Sequence, residues 1–242
     1  MLRNRQTHSQ REAALRAHHH ALLRCQTEKE VKKNGNRGLL WSFVVMFVVL
    51  LLDQILKIWV KTNMTLSQEI PVIGSWFKLL FIENEGMAFG WLGGGGVMKL
   101  ILSLFRIVAV VALFIIMFRL SKKGTKMGVL IGLALITAGA MGNIIDCVFY
   151  GRIFNESTYQ QVATLFPDGG GYAGWLHGRV VDMLYFPIID VAKENASWLP
   201  DFFFGPDERF IFFRPIFNLA DAAITIGVFY MLIFQWRWLK SL

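Results

Sequence analysis

The stretch RPIFNLADAAITIG, residues 214–227, decides how this chain is read. It opens an apolar run in which Asp221 is the only charged side chain between Phe217 and Phe234. A charge at membrane depth costs about 2.5–3.5 kcal/mol on insertion scales, and such residues mark functional sites by default. Asn218 lies three residues earlier and Thr225 one turn further on, on the same helical face.

Working outward, the 242-residue chain is 55% hydrophobic and only 17% charged, with a mean hydropathy of +0.46. Soluble domains usually carry about a quarter charged residues. Four stretches are long enough to cross a hydrocarbon core that needs about 20 apolar residues: 39–60, 97–120, 127–150 and 216–239. The expected fold is an all-α membrane protein, a four-transmembrane-helix bundle. Residues 1–38 form a basic cytoplasmic tail, and 39–242 form a single membrane domain.

The net charge of +8 follows this topology. Residues 1–38 hold nine Lys/Arg against three acids, and the loop RLSKKGTKM, 119–127, holds four against none. Residues 151–215 reverse the balance, with five Lys/Arg and eight acids. Cytoplasmic loops carry the excess of Lys/Arg, so both termini are expected inside and residues 61–96 and 151–215 outside. Topology accounts for the charge, and no nucleic-acid partner is needed. The AHHHALL tract of the tail has no acidic or cysteine partners for a metal and reads as solvated. Cys25 and Cys147 are placed in different regions, so no disulfide or metal framework is expected.

The first outward segment contains WFKLLFIEN, 76–84, an aromatic and aliphatic run expected to form a strand of a small sheet on the membrane surface. The glycine run 93–96 reads as a flexible joint. The second outward segment is too long for a simple connection; its many phenylalanines fit an insertion that rests on the outer leaflet, or alternatively one that packs on itself as a small cap.

Several polar residues stand inside the apolar stretches. Asp53 and Lys57 lie at i, i+4 in the first. Lys57 taken alone fits a side chain that snorkels to the surface. Gly139, Gly142, Asn143 and Asp146 form one stripe on the third, a pattern that also serves as glue between helices. Asp182, in GRVVDML, and Asp221 are aspartates near the outward boundary. Brought together they would share one proton, leaving one carboxylate to activate water. The alternative is that Asp182 caps a surface helix while Asp221 bonds to the third span. A proton-coupled carrier would also use buried Asp and Lys, but the repeats such carriers show are not evident here. A non-catalytic assembly factor with polar helix glue is a third possibility.

Five segments occur in order: DQILK (53–57), ENEGMAFG (83–90), GNIID (142–146), VVDML (180–184) and FNLADAAITIG (217–227). Together, over about residues 39–239, they resemble lipoprotein signal peptidase, or signal peptidase II. The resemblance implies a bacterial intramembrane aspartyl endopeptidase of the cytoplasmic (inner) membrane. Its action would be to cut the signal peptide from a prolipoprotein just before a diacylglyceryl-modified cysteine, beside membrane lipid and without metal or cofactor. It implies a catalytic pair at Asp182 and Asp221 near the outward face. Asp53, Lys57, Asn84, Gly86, Ala88, Asn143, Asp146, Asn218 and Ala220 would be supporting or substrate-facing, and the outward sheet would be a cradle for substrate. Two departures stand out. The family motif usually reads GNxxDR, whereas Cys147 follows Asp146 here, leaving Arg152 or Arg179 as candidates for the missing charge. The stretch between GNIID and VVDML is also long, consistent with a cap over the site.

Overall fold

Helix α1, Leu2–Asn63, runs unbroken for 62 residues, about 93 Å at 1.5 Å per residue. The expected basic tail is thus continuous with the first span, and the span begins within an already formed helix. The computed structural model describes residues 2–85, 96–196 and 198–240. Gly86, Ala88 and the glycines 93–95 lie outside the described residues.

Two further long apolar helices follow: α2, Gly96–Lys122, and α3, Met127–Ile145. Helix α3 continues through a π turn, Asp146–Tyr150, and a last turn, α4, Gly151–Ile153. Among the described residues, three segments are long and apolar enough to cross a membrane: 29–63, 97–122 and 127–153. The fourth expected span, 216–239, is wider than the helix found there. Helix α5 covers Leu219–Phe234, 16 residues or about 24 Å. Its first residues are claimed by a strand and a cap, and Gln235 separates it from the short α6, Trp236–Leu239.

The packing is that of a membrane protein. Side chains such as Phe47, Ile55, Phe105, Val108, Ile226, Phe229 and Ile233 point outward, while Met46, Met117, Leu130, Ala134 and Ala138 form a core between α1, α2 and α3. A second core holds the sheet to the adjoining ends of α1 and α3 through Val60, Met64, Phe81, Tyr150, Phe154, Val181 and Met183.

That sheet is larger than the expected cradle. Strands β1 (Glu69–Ile73) and β2 (Phe77–Asn84) come from the first outward segment, as the sequence suggests. Strands β3 (Val180–Tyr185) and β6 (Ile216–Phe217) come from the second and complete an antiparallel sheet in the order β1-β2-β3-β6. Asp182 therefore sits on a strand, which removes the surface-helix alternative. Strands β4 (Ile189–Ala192) and β5 (Arg209–Phe212) form a separate two-stranded sheet within the expected cap.

Register does the positioning. Ile82 faces Asp182 across β2–β3, and Leu184 faces Phe217 across β3–β6. Asn218 follows β6 directly and caps α5, so Asp221 falls in the first turn of the helix, beside the middle of β3.

Candidate active site

The start of α5 is built from its own sequence. The Asn218 side chain accepts from the Asp221 backbone N–H at 2.9 Å, and the Asp221 carboxylate accepts from the Asn218 backbone N–H at 3.4 Å. This reciprocal capping box satisfies two donors that a helix start leaves open. It also holds Asp221 where a helix favours negative charge.

Two asparagines connect this turn to β3 and α3. Asn218 Nδ2 lies 2.7 Å from Asp182 Oδ1, 3.1 Å from Asn143 Oδ1 and 3.3 Å from the Val181 carbonyl. Asn143 Nδ2 donates to Asp221 Oδ1 at 2.7 Å. Asn84, at the end of β2, donates to the other Asp182 oxygen at 3.3 Å. Asp182 and Asp221 thus occupy one frame of side-chain amides. Burial, and then the charge of Asp221, push the Asp182 carboxyl up to about 7.

Below this frame lies a buried ionic node. Lys57 Nζ is 3.0 Å from Asp53, 2.8 Å from Asp146 and 2.9 Å from Asn143 Oδ1. Lys57 and Asp146 are fully buried and Asp53 is 1% exposed. Lys57 therefore does not snorkel, because two carboxylates at bonding distance outweigh the pull of water. One ammonium between two carboxylates leaves an excess negative charge, and neighbouring donors answer it. The Ala220 N–H donates to Asp53 at 2.9 Å, the Val181 N–H to Asp146 at 3.2 Å, and Gln54 Nε2 reaches both carboxylates. Tyr150, on the π turn, donates to Gln54 at 3.1 Å. The node ties α1, α3, β3 and α5 together.

The small residues of α3 permit this closeness. A Cβ on Gly139 would lie 2.1 Å from the Ala220 carbonyl oxygen, a backbone atom that cannot swing aside. Gly139→Ala is expected to push α5 from α3 and cost about 1–3 kcal/mol. Thermal unfolding in detergent would show this as a lower melting temperature, and an unchanged value would refute the tight contact.

Sequence reasoning missed a second cluster, beside the sheet. Lys61, one turn beyond Lys57, is fully buried and pairs with Glu83. Ser157 joins them, accepting from Lys61 at 2.9 Å and donating to Glu83 at 2.8 Å. Arg179 bonds Glu83, Glu85 and Glu156. Burial alone would raise the Glu83 carboxyl, but Lys61, Ser157 and Arg179 hold it below its usual range. The i, i+4, i+8 spacing of Asp53, Lys57 and Lys61 was the available signal. Arg179 is thereby committed to glutamates, and Arg152 lies over the Trp175 ring. The cation beside Cys147 is Arg106 of α2, whose Nη1 lies 3.4 Å from the thiol. A cleft of about 780 Å³ lined by Gly124–Lys126 and Ile233–Trp238 opens at the other end of the bundle, and none of these site residues lines it.

Residues 45–237 match the family model described as Signal peptidase (SPase) II. The chain belongs to the signal peptidase II family. A lipoprotein signal peptidase of Porphyromonas gingivalis is 50% identical over 193 residues, covering 78% of this chain and 81% of the relative. One of Amoebophilus asiaticus is 34% identical over 192 residues, covering 78% and 75%. A solved bacterial membrane enzyme shares the fold with a TM-score of 0.51 at 24% identity, covering 79% of this chain and 90% of the other. The chain is accordingly an aspartic peptidase of lipoprotein processing and a multi-pass membrane protein.

Proposed function

We propose that this signal peptidase II removes the signal peptide from diacylglyceryl-modified prolipoproteins, cutting before the lipidated cysteine with Asp182 and Asp221 as a water-activating pair. The observation that carries the reading is the frame around Asn218, whose side chain donates to Asp182 while its backbone N–H faces Asp221. In this reading the pair holds one proton, on Asp182, and ionised Asp221 takes a proton from water. The resulting hydroxide attacks the scissile carbonyl carbon while Asp182 donates its proton to the carbonyl oxygen. Collapse of the tetrahedral intermediate breaks the C–N bond as the proton gained by Asp221 passes to the leaving amine of the lipidated cysteine, and one hydroxyl of the intermediate returns a proton to Asp182.

The remaining residues take supporting parts. Asn143, Asn218 and Asn84 orient the two carboxyls, and Asp53, Lys57, Asp146 and the Ala220 backbone hold the helices that carry them. Gly86 and Ala88 take substrate-binding or supporting parts. Four spans with both termini cytoplasmic, in the bacterial inner membrane, put the pair near the outward face, where acyl chains hold the lipidated cysteine. The charge balance of the loops supports that orientation. Helix α5 counts as the fourth span, and residues 39–242 act as one membrane domain behind a basic cytoplasmic segment, 1–38.

The test is cleavage by purified protein of one prolipoprotein in diacylglyceryl-modified and unmodified forms, in heavy-oxygen water. The modified form alone should be cut, before the modified cysteine, with label in the new carboxyl of the signal peptide. Equal cleavage of the unmodified form, or a different cut site, would overturn the reading. The pH profile of kcat/KM adds a signed expectation. The Asp182 carboxyl, raised to about 7, keeps the shared proton below that pH and loses it above. Activity should therefore fall about tenfold per unit on the alkaline side.

A further inference from the structure

We propose that the cleft where the α2–α3 loop meets the end of α5 is a lipid site, holding the phosphodiester headgroup of an anionic phospholipid whose acyl chain lies along α5. The site stands apart from the proteolytic reading. It begins at Ile233, about 18 Å along the helix axis from Asp221 at 1.5 Å per residue.

The cleft opens where the apolar helices stop. Helix α2 ends at Lys122, α3 starts at Met127 and α5 ends at Phe234. Gly124, Thr125, Lys126 and residues 233–238 enclose about 780 Å³, a size within the range of about 300–1,000 Å³ usual for small-molecule sites. One wall is fixed by a tight contact. A Cβ on Gly128 of α3 would lie 2.7 Å from Tyr230 Oη and 2.8 Å from Gln235 Nε2, and Gln235 donates to Tyr230 at 3.3 Å. Helices α3 and α5 already touch there, so the cleft is not a gap that their approach would close.

Its charge has one sign. Lys126 and Arg237 line it. A neighbouring cleft of about 430 Å³ shares Gly124, Thr125 and Lys126 and is lined by Arg37 of α1. No acidic side chain lines either cleft, and the sequence holds none from Arg119 to Met127 or from Ala222 onward. A topology signal needs only an excess of Lys/Arg in the loops. It does not need cations from three separate parts of the chain gathered around a shared cavity wall, which is what a bound phosphodiester uses.

The apolar half of the ligand is matched on α5. Ile226, Phe229 and Ile233 are exposed and fall at i, i+3 and i+7, one stripe along the helix. Ile233 carries that stripe into the cleft, where Trp236 and Trp238 also stand, residues suited to the membrane–water boundary. A soluble phosphate would use the cations and leave the stripe bare, whereas a phospholipid uses both. Bound there, the lipid bridges the α2–α3 loop to the far end of the helix that bears Asp221.

The test titrates lipid onto the full-length protein in detergent, with bound lipid counted by native mass spectrometry. The probes are phosphatidylglycerol, phosphatidylcholine with the same acyl chains, and glycerol phosphate. Phosphatidylglycerol should bind about thirtyfold tighter than phosphatidylcholine, about fivefold from each of two cations near the membrane surface. Lys126→Gln and Arg237→Gln should each lose about fivefold, and the double variant should bind the two lipids alike. Lys122→Gln/Lys123→Gln removes the same charge outside both clefts and should keep the wild-type preference. Phosphatidylglycerol should also raise the melting temperature of wild type but not of the Lys126→Gln/Arg237→Gln protein. Equal binding of the two lipids by wild type would overturn the proposal. An equal loss in Lys122→Gln/Lys123→Gln would overturn it too, by showing a diffuse basic surface in place of a site. Glycerol phosphate binding as tightly as phosphatidylglycerol would do the same, by showing a site for a soluble anion. A wild-type melting temperature that ignores bound phosphatidylglycerol would overturn the bridge. If the double variant does not fold, the two single variants decide under the same criteria.

Discussion

Asp221→Asn is expected to lose at least about a thousandfold to ten-thousandfold in cleavage of a diacylglyceryl-modified prolipoprotein, and Asp182→Asn the same. On the proposed mechanism each substitution removes one half of a unit that must hold one proton and one charge. The double variant should therefore be no worse than either single one. The two should differ in stability. Asp221 accepts a short bond from Asn143 and a long one from the Asn218 backbone, and an asparagine can keep the short bond by its choice of rotamer. Asp182 accepts from two amides, Asn218 and Asn84. An asparagine there must set its own NH₂ against a donor, at a cost of about 1–3 kcal/mol. Processing assays paired with thermal unfolding check both halves, and activity persisting in either single variant would remove that residue from the pair.

Lys57→Met should be the most destabilising single change in the bundle. It leaves Asp53 and Asp146 buried without their shared cation, and breaking a buried pair in this way costs about 3–5 kcal/mol. The melting temperature should drop by roughly ten degrees, with cleavage lost as α1, α3 and α5 separate. Lys57→Met combined with Asp146→Asn removes a negative charge along with the positive one and should recover part of the stability. A Lys57→Met protein that melts like wild type would show that the node is not what holds the three helices.

The residues of the node and the amide frame were legible because each breaks an apolar run. Asp53, Asn143, Asp146, Asn218 and Asp221 stand out against their neighbours, and the Gly139–Gly142 stripe announces a close helix. The contacts of Lys57 were not legible. Snorkelling and burial share one sequence pattern, and only the arrival of α3 decides between them. Strand β3 was hidden for a different reason. All six of its residues are buried, so VVDMLY lacks the alternation that marks a half-exposed strand. The end of α5 at Phe234 was concealed because the apolar run continues past Gln235 into WRWL. Arg106 gave no local sign of its partner, since Cys147 lies on another helix.

The join between the Ala220 amide and Asp53 has a consequence for how the protein comes into being. Synthesis proceeds from the amino end, so α1 and α3 meet before α5 exists. Lys57 can already pair with Asp53 and Asp146 at that stage, and the half-made bundle carries no bare ammonium into the bilayer. It also carries no Asp221. On the proposed mechanism a ribosome-bound chain is thus proteolytically silent until its last apolar helix docks. The Asp53–Ala220 bond then serves as a latch, seating that helix against a surface prepared in advance.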